Sequence, residues 1–148
     1  MSLKDRITED MKSAMRAKDG ARLTAIRFLQ AAIKQKEVDE RVTADDAAIV
    51  AIIEKLSKQR RDSIAQFEQA GRMDLVDKER AELALLQSYL PQQMAEDELL
   101  AAIKGAIVEA GATGPQAMGK VMALLKPRIA GRADPARAAA LVKQQLAG

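Results

Sequence analysis

Apolar residues recur at helical spacing along almost the whole chain, and this pattern constrains the fold more than any other feature. The first helix shows it at intervals of four, in Leu3, Ile7, Met11 and Met15. Ser2 is the predicted N-cap, with Asp5 in capping-box position. Aromatic residues make up only 2% of the chain, so the core must be aliphatic. The pattern predicts an all-α protein.

Two long helices follow the second one and are expected to form an antiparallel hairpin. The third helix is predicted to begin after Thr43 as its cap and to run to about Ala70. Gly71 ends it, and a fourth helix runs from about Met73 to Ser88. Because the connection is short, the third and fourth helices should pack side by side in opposite directions.

The chain is expected to divide near Pro91–Ala95, because all four prolines lie from Pro91 onward. This predicts an N-terminal helical domain over residues 1–92 and a C-terminal three-helix domain over residues 95–148. The three short helices should span about 96–110, 115–126 and 135–147. Gly111 and Pro127 are expected to end the first two, and Asp134 to cap the last.

The composition argues against catalysis. The chain has no Cys and no His, so the common nucleophile–base pairs cannot be built. We predict no catalytic residues, no metal site and no cofactor. Asp45-Asp46 and Asp74–Asp77 are candidates for a metal site made only of carboxylates, but both are better explained as acids at helix starts. No stretch has the ~20 apolar residues of a membrane span, and the N-terminus does not resemble a signal peptide. A cytoplasmic protein that does not bind membranes is expected.

Positive charge is concentrated at the end of the chain. The net charge is +3, but the residues beyond Gly111 carry six basic side chains and one acid, and the rest sums to −2. The six are Lys120, Lys126, Arg128, Arg132, Arg137 and Lys143. Two interpretations stay open: a surface that contacts a phosphate backbone, or a solubilising basic face. Lys58 and Arg61 on the third helix are further candidates for phosphate contacts, although such residues more often form a solvated face.

Arg60 falls in the middle of the apolar stripe of the third helix, and Glu79 falls in that of the fourth. A buried charge without a partner is costly. The antiparallel hairpin brings the two within reach, with Glu82 as the other candidate partner. We predict a structural ion pair.

The chain as a whole resembles the YqeY family of small bacterial proteins, within the GatB/YqeY superfamily. The resemblance rests on strings spread over the sequence: residues 23–34, 58–75, 87–93, 118–122 and 131–134. It implies an all-helical protein with a larger N-terminal and a small C-terminal part. It also implies similarity to the tail of the GatB subunit of glutamine-dependent tRNA amidotransferase, a tail that contributes to tRNA recognition.

By position, the resemblance points to Gly119, Lys120, Arg132 and Asp134. We expect Lys120 and Arg132 to contact phosphate and Gly119 to permit close approach. Ala95 departs from the family, which usually has Ser or Thr at this helix start.

The leading hypothesis is a non-catalytic accessory protein that binds tRNA or another structured RNA. The alternative is a protein–protein docking module for an amidotransferase or another translation enzyme. Methionines could form its contact surface, although they more often belong to the core: Met11, Met15, Met118 and Met122. The label of carbon–nitrogen ligase with glutamine as amido-N-donor, which the family often carries, is interpreted as inherited, because the groups for that chemistry are missing.

Overall fold

The computed structural model describes residues 1–111 and 113–147, and over these residues the protein is helical without strands, which confirms the predicted all-α class. The elements are α1 Leu3–Arg16, α2 Gly20–Glu40, α3 Asp46–Gln69, α4 Met73–Gln87, α5 Glu96–Ala110, a 3-10 turn Pro115–Ala117, α6 Met118–Ile129 and α7 Pro135–Ala147. None of these helices is both long and apolar enough to cross a lipid bilayer.

The chain forms two compact units, a first unit of Met1–Leu90 and a second unit of Pro91–Gly148. In the first unit α3 packs along α4 and α1 packs along α2, so two antiparallel hairpins enclose one aliphatic core. The capping box forms at the start of α1, where the Ser2 hydroxyl accepts from the backbone N–H of Asp5. Gly71 has a φ of 70° and reverses the chain between α3 and α4.

The start of α3 differs from the prediction. Asp45, not Thr43, is the N-cap, and its carboxylate accepts from the N–H of Ala48 at 2.9 Å. The reason lies one residue earlier, where the N–H of buried Ala44 donates to the carboxylate of Glu37 at 2.8 Å. This contact holds residue 44 outside the helix, so the chain turns into α3 only afterwards.

Tyr89 ties the end of the first unit to its first helix. The side chain is buried, and its hydroxyl donates to Oδ2 of Asp10 at 2.6 Å. The guanidinium of Arg6 lies 5.0 Å from the ring centroid and donates to the carbonyl of Ser88. Burial, followed by the hydrogen bond to Asp10, raises the pKa of the Tyr89 hydroxyl well above its usual value, against a smaller opposing effect of Arg22 and Arg6.

This raised pKa predicts a loss of stability in alkali. Unfolded Tyr89 ionises near its ordinary pKa of about 10, whereas the folded phenol stays protonated at higher pH. Unfolding then releases a proton, so the free energy of unfolding should fall as pH rises above about 10. Tyr89→Phe should reduce this fall. Because Tyr89 is the only tyrosine and there is no tryptophan, tyrosinate absorbance measures its ionisation directly; an ordinary pKa in the folded protein would contradict the structure.

In the second unit α5, α6 and α7 pack around a separate aliphatic core. Gly111 ends α5 with a φ of 64°, and the Asp134 carboxylate accepts from the N–H of Ala136 at the start of α7. Ala95 caps α5 without a side-chain hydrogen bond. The prediction that Pro127 ends its helix is wrong, because Pro127 lies inside α6. Pro127 removes one helical hydrogen bond. Because only two helical residues follow it, this loss falls in the exposed final turn, where it disturbs little of the helix.

Candidate nucleic-acid interface

The outward face of α6 carries the two lysines that the sequence analysis singled out. Its buried residues are Val121, Leu125 and Ile129, which pack into the core of the second unit. At about 100° per residue, the opposite side presents five residues, all exposed, which we call the α6 face: Gly119, Lys120, Ala123, Lys126 and Pro127. Lys120 and Lys126 flank this face at about 120° from each other, with the small residues between them.

The middle of the α6 face is open. A Cβ added at Gly119 would meet no heavy atom within 4 Å, so packing does not require glycine there. Pro127 has no N–H to donate to the carbonyl of Ala123, one turn earlier. The face therefore combines two ammonium groups with a closely approachable backbone that includes an acceptor without its usual helical donor.

The arginines of the second unit are engaged in ion pairs with α5. Arg128 pairs with Glu109, Arg132 Nη2 lies 2.7 Å from Glu98 Oε2, and Arg137 Nη2 lies 2.5 Å from Glu96 Oε1. Much of the positive charge after Gly111 is thus balanced by acids that precede it. The whole second unit has seven basic and five acidic residues, a smaller excess than its last part suggests.

Arg132 holds the leading segment of the second unit in place. Its Nε donates to the carbonyl of Gln92 at 3.0 Å, and its own carbonyl accepts from the N–H of Met94 at 2.8 Å. The Gln93 side chain donates to the carbonyl of Gly131 at 2.7 Å. Together with its ion pair to Glu98, Arg132 fixes residues 92–94 against the second unit. This contact explains structurally why Gly131 and Arg132 occur together in the sequence.

The lysines differ from the arginines. Within residues 1–111 and 113–147, the side chains of Lys120, Lys126 and Lys143 make no ion pair or hydrogen bond, and neither does that of Lys104 on α5. All four are exposed. Among the cations of the second unit, these four are available to an external anion.

Lys58 and Arg61 are exposed on α3 and belong to the first unit. They share no element with the α6 face. The predicted nucleic-acid-binding residues therefore lie in two different units. Those of the α6 face lie together on one side of one helix.

The structure brings the three predicted ion-pair residues together. Arg60 Nε lies 2.9 Å from Glu82 Oε2 and 3.4 Å from Glu79 Oε2. Their side chains are only 16 to 21% exposed. Arg60 Nε and Glu79 Oε2 are fully buried without a hydrogen bond, so charge attraction holds the cluster more than aligned hydrogen bonds do. The Phe28 ring, which sequence reasoning did not connect to this cluster, lies 4.8 Å from the Arg60 guanidinium.

Three of the four methionines considered for docking pack against the cores: Met11, Met118 and Met122. Met15 is half-exposed. Over the residues that the structure describes, no group of three or more acids is placed to hold a metal ion.

Relatives with curated names match over much of the chain. "Altered inheritance of mitochondria protein 41, mitochondrial" of Eremothecium gossypii is 46% identical over 62% of this chain and 52% of its own length. The protein of the same name from Pyrenophora tritici-repentis is 35% identical over 86% of this chain and 71% of its length. The one from Lachancea thermotolerans is 37% identical over 74% and 60%. The chain spans about half to three fifths of the length of the first three curated relatives it matches.

These relatives correct one part of the sequence analysis. They are fungal proteins whose names describe them as mitochondrial, so the prediction of a bacterial, cytoplasmic protein is wrong by this comparison. The absence of a membrane span and of a recognisable signal peptide does not define a compartment.

The family itself is shown by a match over nearly the whole chain. The sequence model described as "Yqey-like protein" matches residues 4–146, which include both helical units. The chain belongs to the YqeY family.

Proposed function

We propose that this chain is a non-catalytic protein that binds a structured RNA, such as a tRNA, through the α6 face. One observation carries the proposal: Lys120 and Lys126 flank an open helix face without acidic partners, whereas each arginine of the second unit is paired with α5. An ammonium group on a flexible stem contacts phosphates as a point charge. Phosphate contacts position RNA and supply most of its affinity.

The α6 face also suits RNA better than DNA. The Ala123 carbonyl lacks the helical donor that Pro127 cannot supply, and a ribose 2′-hydroxyl is a donor that DNA does not have. Stacking on single strands finds little support, because the chain has two phenylalanines, one tyrosine and no tryptophan. The proposed mode is therefore recognition of a folded RNA by its shape and its phosphate backbone.

Filter binding of tRNA to the full chain at several salt concentrations tests the proposal. Two to four lysine–phosphate contacts predict a slope of about −2 to −4 in the logarithm of the binding constant against the logarithm of salt concentration. A DNA hairpin of matched sequence should bind more weakly. Absence of tRNA binding at low salt, or affinity that does not change with salt, would contradict the proposal.

A further inference from the structure

A basic recess lies in the first unit and is formed by residues other than those of the α6 face. Two adjoining cavities of about 290 and 450 Å³ are formed by α1, the C-terminal end of α2 and the segment after it. They share Lys4, Lys34 and Glu37, and the larger one also includes Arg41. We call this pair of cavities the Glu37 recess.

Glu37 is already satisfied within the recess. Its carboxylate receives Lys4 Nζ at 2.6 Å and the N–H of Ala44 at 2.8 Å. These two bonds, chiefly the one from Lys4, lower the pKa of Glu37, with a smaller effect of Lys34. Glu37 is the sole acid lining either cavity, and Lys4 neutralises it.

Two positive side chains in the recess have no acid in direct contact with them. The side chains of Lys34 and Arg41 make no ion pair or hydrogen bond with any described residue, and both residues are exposed. Lys34 lies on α2, Arg41 is the residue that directly follows it, and both line the larger cavity. The recess holds Lys4, Lys34 and Arg41 against the single acid Glu37, and this excess of positive charge attracts anions.

The backbone at Arg41 supports a specific role for this side chain. Arg41 ends α2 with a φ of 55°, in the left-handed region where glycine or asparagine is usual. Its N–H donates to the carbonyl of Glu37, which fixes the backbone beside the recess. Val38 and Val42 are 60% and 50% exposed and line the same cavity, so an apolar wall adjoins the cations.

We propose that the Glu37 recess binds a phosphate group, with Lys34 and Arg41 as its charged contacts and the Lys4–Glu37 pair as the scaffold that holds the recess in shape. The apolar wall favours a phosphate ester over a bare ion. This inference does not depend on RNA binding by the α6 face, because it involves other residues in the other unit.

Titration calorimetry of the full chain with inorganic phosphate, at constant ionic strength, tests the proposal. We expect saturable binding whose dissociation constant rises at least about tenfold in Lys34→Gln/Arg41→Gln, since each removed cation costs a charge-assisted hydrogen bond. Lys12→Gln/Arg16→Gln makes the same change in charge on the exposed side of α1 and should leave binding unchanged. Lys34→Gln alone keeps the backbone at residue 41 and should show part of the loss. Absence of saturable binding, or an equal loss in the control, would overturn the proposal.

A second arm identifies the source of the phosphate. If Lys34→Gln/Arg41→Gln weakens tRNA binding as well, the ligand is an RNA backbone phosphate. If tRNA binding is unchanged while phosphate binding is lost, the ligand is a small phosphate ester. Either result supports the recess, and variants of the α6 face test the proposed function separately.

Discussion

Replacing Arg60 with leucine should lower the free energy of unfolding of the first unit by about 3 kcal/mol, because the substitution leaves Glu79 and Glu82 largely buried without a cation. Because leucine keeps much of the apolar volume of the side chain, the loss of stability measures mainly the effect of removing the positive charge. Denaturant unfolding followed by the fluorescence of Tyr89, the single tyrosine, measures the change within this unit.

The matched control is an exposed arginine between the same two helices. Arg80 pairs with Glu68 at 2.7 Å, but these side chains are 54% and 45% exposed, so Arg80→Leu should cost less than about 1 kcal/mol. Adding Glu79→Gln and Glu82→Gln to the Arg60 variant should restore more than half of the lost stability. Equal losses in the Arg60 and Arg80 variants would show that burial does not matter to this cluster.

Leu125→Ala should destabilise the second unit by about 3 kcal/mol, because Leu125 is fully buried and its loss leaves a cavity. The second unit is small, and small domains have little stability to lose. Amide hydrogen exchange in α6 measures the effect directly. Leu124→Ala removes the same atoms from a partly buried site and should have a clearly smaller effect; equal protection in both variants would contradict the packing of α6.

Local sequence signals determine most of the helices. The apolar spacing of α1, the reversal at Gly71 and the proline at the start of α7 are readable from neighbours within a few residues. The cap of α3 is not, because a carboxylate on α2 holds Ala44 and moves the helix start to Asp46. Pro127 predicts a helix end because its missing N–H is costly in a helix interior, but the cost is low at an exposed last turn.

Some ion pairs can likewise be predicted from the sequence, and others cannot. Arg60 and its acids could be paired from sequence because one tight turn sets the register of α3 against α4. The arginines of the second unit could not, since their partners on α5 lie 19 to 41 residues earlier and depend on how three helices pack. The number of basic residues after Gly111 is therefore larger than the number of free cations there, and Arg132 is engaged with Gln92 and Glu98.

The most direct test of RNA binding by the α6 face compares the salt dependence of tRNA binding in two double variants of the second unit. Lys120→Gln/Lys126→Gln and Arg128→Gln/Arg137→Gln change the net charge equally, but only the first removes cations without an acidic partner. The lysine variant should bind at least about tenfold more weakly and reduce the salt slope by about 2, while the arginine variant stays close to the unmodified protein. Equal losses in the two variants, or full binding in the lysine variant, would contradict the role of the α6 face.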